Sequence, residues 1–264
     1  MTDGLATPAA PLAAPRTALV TGGARRIGRA IVEDLVRHGW RVAIHCNRSR
    51  EEAEAFAAAI NGDGGVAAVV VGDLADPNGI ASILPAAIAA LGPVDLLVNN
   101  ASIFERDEAT ALDLAVMERH LRVNLTAPCL LASAFAEALP AGTGGQVINI
   151  IDQRVWKPTP QFFSYTMAKS ALWAATRTMA QALAPRIRVN AIGPGPTLAN
   201  IRQAPEDFAK QAGAVLLRAG PDLAEFGRTI RFLVETPSIT GQMIALDGGQ
   251  HLAWETPDVV GIEE

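Results

Sequence analysis

RTALVTGGARRIGRAIVEDLVRHG, residues 16–39, decides the fold. A short β-forming run, 16–21, ends on paired glycines; from Arg26 apolar residues recur at helical spacing until Gly39 closes the segment. Strand, glycine turn and helix in that order set a helix N-terminus at the end of a strand, where free amides and the helix dipole receive a phosphate. Thr21, Gly22, Arg25, Arg26, Ile27 and Gly28 are therefore the candidate pyrophosphate-binding residues, since glycine lets the backbone come close to phosphate oxygens.

Outward from this unit the pattern repeats. Strands are predicted at 41–46, 66–71, 96–99, 146–151, 188–192 and 239–246, with helices at 49–60, 77–91, 113–139 and from about 161 onward. Strands alternating with helices of ten or more residues predict a parallel sheet covered on both faces. No linker or internal repeat interrupts it, so we read one Rossmann-like, doubly wound α/β domain over 16–254. An Ala/Pro-rich leader, 1–15, is expected to be disordered; the tail 255–264 is acidic and is either mobile or a cover for a neighbour's site.

Composition narrows the function. Half of the 264 residues are hydrophobic and 19% are charged, which suits a substantial core. No apolar run approaches the roughly 20 residues of a membrane span, and the N-terminal segment lacks the basic and apolar regions of a secretion signal. Cys46 and Cys129 offer no disulfide framework, and four scattered histidines give no zinc spacing. The net charge of −5 argues against general nucleic-acid binding. The expectation is a cytoplasmic protein with a small-molecule substrate, without a required metal, nucleic-acid partner or membrane.

The second strand ends in HCNRSR, residues 45–50. A site preferring the unphosphorylated dinucleotide usually has a carboxylate here for the ribose hydroxyls, but none occurs before Glu51. Arg48 and Ser49 instead offer a cation and a hydroxyl suited to a 2′-phosphate, and His45 and Asn47 flank them, so NADPH is the expected cofactor. Arg25, Arg26 and Arg29 add positive charge nearby.

The chain's single tyrosine, Tyr165, stands four residues before Lys169 in a helical stretch, so phenol and ammonium share a face. A neighbouring cation draws a phenol's pKa down from about 10 and makes it a usable general acid–base. Taken alone, a Y-x-x-x-K pair is more often an ordinary exposed pair, and it needs independent support.

That support is TGGARRIG at 21–28, NNAS at 99–102 and Asn124 in RVNLTAP, which with Tyr165 and Lys169 resemble the short-chain dehydrogenase/reductase family over about residues 16–252. The resemblance implies that Tyr165 donates a proton, Lys169 holds the nicotinamide ribose, and Asn124 anchors a water feeding Lys169. It implies that Asp73 and Leu74 meet the adenine, that Asn100, Ala101 and Ser102 line the adenosine side, and that Pro194, Gly195, Thr197 and Leu198 support the nicotinamide. Residues 196–220 would form a lid, and LDGGQ at 246–250 is similar to the turn that packs subunits into a homotetramer.

Two positions depart from the common pattern. Arg26 replaces the middle glycine of T-G-x-x-x-G-x-G, and Asp152 stands thirteen residues before Tyr165, where most members carry serine. An ionised carboxylate cannot donate a hydrogen bond to a carbonyl, but it can accept N–H bonds from a nitrogen heterocycle. With H-x-x-R-S and NNAS-x-F, these departures resemble the pteridine reductase and dihydromonapterin reductase branch. The implied pterin site comprises Arg26, Ser102, Phe104, Asp152, Tyr165 and Gly195, with Phe104 stacked on the ring. A carbonyl reductase acting on a 3-oxoacyl thioester or a sugar, and an NADP-sensing module without turnover, are the alternatives.

Overall fold

The computed structural model describes residues 16–200, 202–256 and 258–261, so the expected leader lies outside the described residues. Seven strands form one parallel sheet: β1 (Thr17–Val20), β2 (Arg41–Cys46), β3 (Val66–Val71), β4 (Leu96–Asn99), β5 (Gly145–Ile150), β6 (Ile187–Pro194) and β7 (Met243–Leu246). Their order is β3-β2-β1-β4-β5-β6-β7, and the order reverses between β1 and β4. Loops leaving these two strands diverge and open a crevice at their C-terminal ends, where ligands bind in such sheets.

Period-two alternation sends successive strand residues to opposite faces. Ala18, Val20, Val42, Ile44, Leu96 and Val98 pack on one side with α1 (Arg26–Arg37), α2 (Arg50–Gly62) and α8 (Leu223–Glu235). Leu19, Ala43, Leu97 and Val147 pack on the other with α3 (Pro77–Leu91) and α5 (Ala127–Ala138). Each Ile or Leu buried this way contributes about 1.5–3 kcal/mol, so the two-sided core holds the loops at the crevice in place. Helix starts carry legible signals: Asp76 caps α3 through Asn78 N and Gly79 N, and Asp222 with Glu225 forms a capping box on α8.

Three of the expected boundaries that differ have a visible local cause. The helix foreseen over 113–139 is α4 (Leu114–Leu121), a π turn at Arg122–Thr126, and then α5. The helix foreseen from 161 is α6 (Phe163–Leu183); it starts late because Phe162 adopts φ 58° while Asp107 O accepts the Phe162 amide. The last strand is shorter than 239–246, because Ile239 O accepts from Arg188 and Asn190 side chains rather than joining the ladder.

Residues 196–220 leave the sheet after β6, carry α7 (Pro205–Gly213) and return to their starting point. A Cβ at Gly220 would lie 1.8 Å from Pro196 O, so only glycine permits this closure. No described helix is long and apolar enough to cross a membrane, and among the described residues no group of three or more His, Cys, Asp or Glu could hold a metal ion.

Candidate active site

The crevice is a cleft of about 950 Å³ running from the β1 turn, past the ends of β2 and β4, to Asp152, Tyr165 and the start of the 196–220 excursion. At the phosphate end, a Cβ on Gly28 would meet Gly22 O at 2.2 Å, so the turn closes only around glycine. Arg26 sits in the left-handed region at φ 52°. This explains why glycine is usual there; an arginine holds the same backbone at a cost of roughly 1–2 kcal/mol. Its guanidinium donates to Leu198 O (3.2 Å) and Ala199 O (3.0 Å), tying the glycine turn to the excursion.

Several expected cofactor contacts have a different job. Thr21 does not line the cleft: its hydroxyl donates to Val98 O and accepts from Asn100 N and Ala101 N, stitching β1 to the β4 loop. His45 is fully buried, accepting from Gly22 N at Nδ1 (3.2 Å) and facing Gly72 O with Nε2 (3.0 Å). Burial lowers its pKa, so it stays neutral and braces the glycine turn. Arg25 is paired with Glu52, and Arg29 with Glu33 at 2.9 Å, so the positive charge expected from both is neutralised. Asn47, Arg48 and Ser49 line the cleft at the end of β2, where Arg48 has no carboxylate within ion-pair distance among the described residues; Asp73 and Leu74 line it after β3. Asn100 Nδ2 donates to Thr21 O and Gly22 O, and Asn100 lines the cleft together with Ala101 and Ser102. Pro194, Gly195, Thr197 and Leu198 form its far wall, with Gly195 N bonded to Leu246 O and Thr197 Oγ1 to Gly195 O.

At the other end, Tyr165 Oη donates to Asp152 Oδ2 at 2.9 Å, while Asp152 Oδ1 accepts from Arg154 N. Lys169 is buried and its Nζ donates to Ile150 O at 2.8 Å. The expected depression of the phenol pKa is not the net effect. Burial and then the Asp152 carboxylate push Tyr165 well above its usual value. Burial also raises Asp152 above the usual carboxylate range and lowers Lys169 to about 8. A phenol kept protonated against a carboxyl reluctant to ionise forms a proton-holding pair.

Asn124 does not reach the cleft. Its Oδ1 accepts from Ser102 Oγ and Ile103 N, and its Nδ2 donates to Ile103 O, so its side chain fixes the 102–103 backbone. Phe104 meets Tyr165 edge-on at 4.7 Å and stacks on Phe162 at 3.9 Å and 11°. One face of the ring expected to receive a pterin is therefore already covered by Phe162. Phe162, Arg154, Arg202 and His120 were not singled out in the sequence. His120 accepts Glu105 N at Nε2 and bonds Ser164 Oγ at Nδ1 (2.6 Å), locking the Phe104 loop to the start of α6. No motif marks these residues; only the stretch QFFSY, beside the tyrosine, hinted at Phe162.

A phosphate cradle on one side of the switch point and a proton-holding pair on the other is the working layout of a nicotinamide-dependent oxidoreductase. A family model for short chain dehydrogenases matches residues 16–209, and the chain belongs to that family. It is 31% identical over 252 residues to a short-chain type dehydrogenase/reductase of Picea abies, covering 89% of this chain and 92% of that one. It is 30% identical to a 3-oxoacyl-[acyl-carrier-protein] reductase of Synechocystis, covering 89% and 96%. Among solved structures it is similar to FolM alternative dihydrofolate reductase 1 from Brucella suis in complex with NADP, at 60% identity and TM-score 0.91, covering 93% of this chain and 98% of that one.

Proposed function

We propose that this protein is an NADPH-dependent reductase of a pteridine ring, of the dihydropterin or dihydrofolate type. The observation that carries the reading is Asp152, a carboxyl 2.9 Å from the Tyr165 hydroxyl where a carbonyl reductase would present a hydroxyl donor. The 60% identity to a dihydrofolate reductase crystallised with NADP supports it. The glycine turn fits a dinucleotide, and Arg48 with Ser49 fits its 2′-phosphate; Arg26 and the 194–198 wall would hold the remainder. NADPH, when bound, supplies the hydride. Asp152 accepts ring N–H groups and orients the heterocycle, Phe104 packs against the ring, Tyr165 delivers the proton, and Lys169 holds the ribose. Asn124, Thr21 and His45 act one layer back, holding the loops that present these groups.

The test is NADPH oxidation with dihydropterins, dihydrofolate and a 3-oxoacyl thioester. Pteridines should turn over, and NADPH should exceed NADH by more than about tenfold in kcat/KM, from one charge-assisted phosphate contact. Turnover of the thioester alone would favour the carbonyl reading, to which the 3-oxoacyl relatives at about 30% identity point. Cytoplasmic residence accords with this cofactor and with free thiols at Cys46 and Cys129.

The assembly we propose is a homotetramer. Apolar Leu216, Leu217, Leu252 and Trp254 are exposed around the 248–252 turn, where Leu217 N bonds Gly248 O, and Leu130 and Met167 are exposed on α5 and α6. Two separate apolar surfaces suit two interfaces between copies. Light scattering should give four chains, falling toward two in Leu217→Glu; a monomeric wild type overturns this.

A further inference from the structure

The charge at the substrate end of the cleft does not balance. The chain is acidic overall, yet Arg26, Arg48, Arg154 and Arg202 line the cleft with no carboxylate within ion-pair distance among the described residues, whereas Arg25 and Arg119 are taken by Glu52 and Glu105. Arg48 and Arg26 stand at the phosphate end of the cleft. Arg154 and Arg202 do not; both are fixed around Phe104.

The Arg154 guanidinium lies 5.5 Å from the Phe104 ring centre and 5.2 Å from that of Phe162, and its Nη1 donates to Thr159 Oγ1 at 2.7 Å. Arg202 reaches across from the 196–220 excursion, and its Nη2 donates to Phe104 O at 2.7 Å. Neutral partners thus fix the position of both guanidiniums without cancelling their charge, and each retains further N–H donors in a planar fork that matches a carboxylate. The two acids at this end are already engaged: Asp152 accepts from Tyr165 Oη and the Arg154 amide, and Glu105 pairs with Arg119.

We propose that Arg154 and Arg202 form an anion subsite at the outer edge of Phe104, which takes a carboxylate carried by the substrate beyond its ring. The preferred substrate is then a pteridine with an acidic extension, of the folate type, over one with a neutral hydroxylated side chain. This rests on the pteridine reading and adds to it a specificity determinant that lies outside the reacting atoms.

The experiment compares kcat/KM for dihydrofolate, its uncharged diamide and a neutral dihydropterin at saturating NADPH, in the full-length wild type and in Arg202→Gln, Arg202→Lys and Arg154→Gln. The wild type should prefer the diacid to the diamide, and raised salt should narrow that preference. Arg202→Gln should lower the diacid-to-diamide ratio roughly tenfold through KM, as loss of one charge-assisted bond discounted for exposure, and Arg202→Lys should restore part of it. A ratio equal to one in the wild type, or unmoved in both glutamine variants, overturns the subsite while leaving the ring chemistry standing. If no pteridine is reduced and only a carbonyl is, the ring reading and the subsite fall together.

Discussion

Tyr165→Phe is expected to lower kcat for a dihydropterin by roughly 10²–10⁴, the usual contribution of a positioned general acid. NADPH affinity, read by fluorescence titration, should change little, because the variant removes one hydroxyl and keeps the ring that Phe104 meets edge-on. The loss should fall on kcat and kcat/KM together, as for an interaction made in the transition state. Near-normal turnover would instead assign proton delivery to Asp152, which accepts from the Tyr165 hydroxyl and whose pKa is raised by burial. The pH profile adds a check on Lys169. Burial disfavours its charged form, so the cation is present below about pH 8 and lost above it. Cofactor-dependent kcat/KM should therefore decline through that region in the wild type. A rate still rising above pH 9 would mean that Lys169 is not required as a cation.

The second large effect is expected at Asp152, and its sign depends on substrate. Asp152→Ser should reduce pteridine turnover by about 10² or more, since serine cannot hold and pass a proton at this position. The same change supplies a hydroxyl donor and should raise activity toward a 3-oxoacyl thioester. Folding cost should be small, because serine can also accept the Arg154 amide bond that Asp152 Oδ1 accepts. Asp152→Asn keeps the shape and that bond while removing the charge, so it separates orientation of the ring from proton transfer. Unchanged pteridine turnover in both variants would remove the basis of the pteridine reading and leave only the family.

The fold was legible because its signals are local. Residues 16–39 contain a strand, a turn and a helix whose periods differ, and alternation of such units leaves one sheet topology in practice. Tyr165 and Lys169 were legible for the same reason, as i and i+4 on one helix. What could not be read was tertiary. Arg154 and Phe162 come to Phe104 from the β5–α6 connection and Arg202 from the 196–220 excursion, with spacings that obey no period, and Arg202 lies 98 positions from the carbonyl it meets. The error about the phenol had a physical cause. Lys169 shares a face with it, but burial and the Asp152 carboxylate raise the phenol pKa against the opposing Arg154 guanidinium and Ser102 hydroxyl, and burial cannot be seen from spacing. Thr21, His45 and Asn124 have polar side chains of the kind that binds ligands, yet each is spent on backbone groups of neighbouring loops.

The π turn at Arg122–Thr126 makes chain length, rather than residue type, a constraint on the site. A π turn holds one residue more than the α-helix it interrupts, and each α-helical residue advances the helix by about 100°. Removing one residue from this turn would let α4 and α5 run on as a single α-helix with its two halves still in phase, because the five residues of a π turn cover about the angle that four cover in an α-helix. His120 would keep its direction toward Ser164 and Glu105, but the wide turn that carries Asn124 to Ile103 would be gone, and the loop bearing Phe104 would lose that anchor. An equal deletion near Gly142, which a Cβ could occupy without meeting an atom within 4 Å, would remove no such turn. The count of residues through this one turn is thus a ruler for the position of the substrate ring.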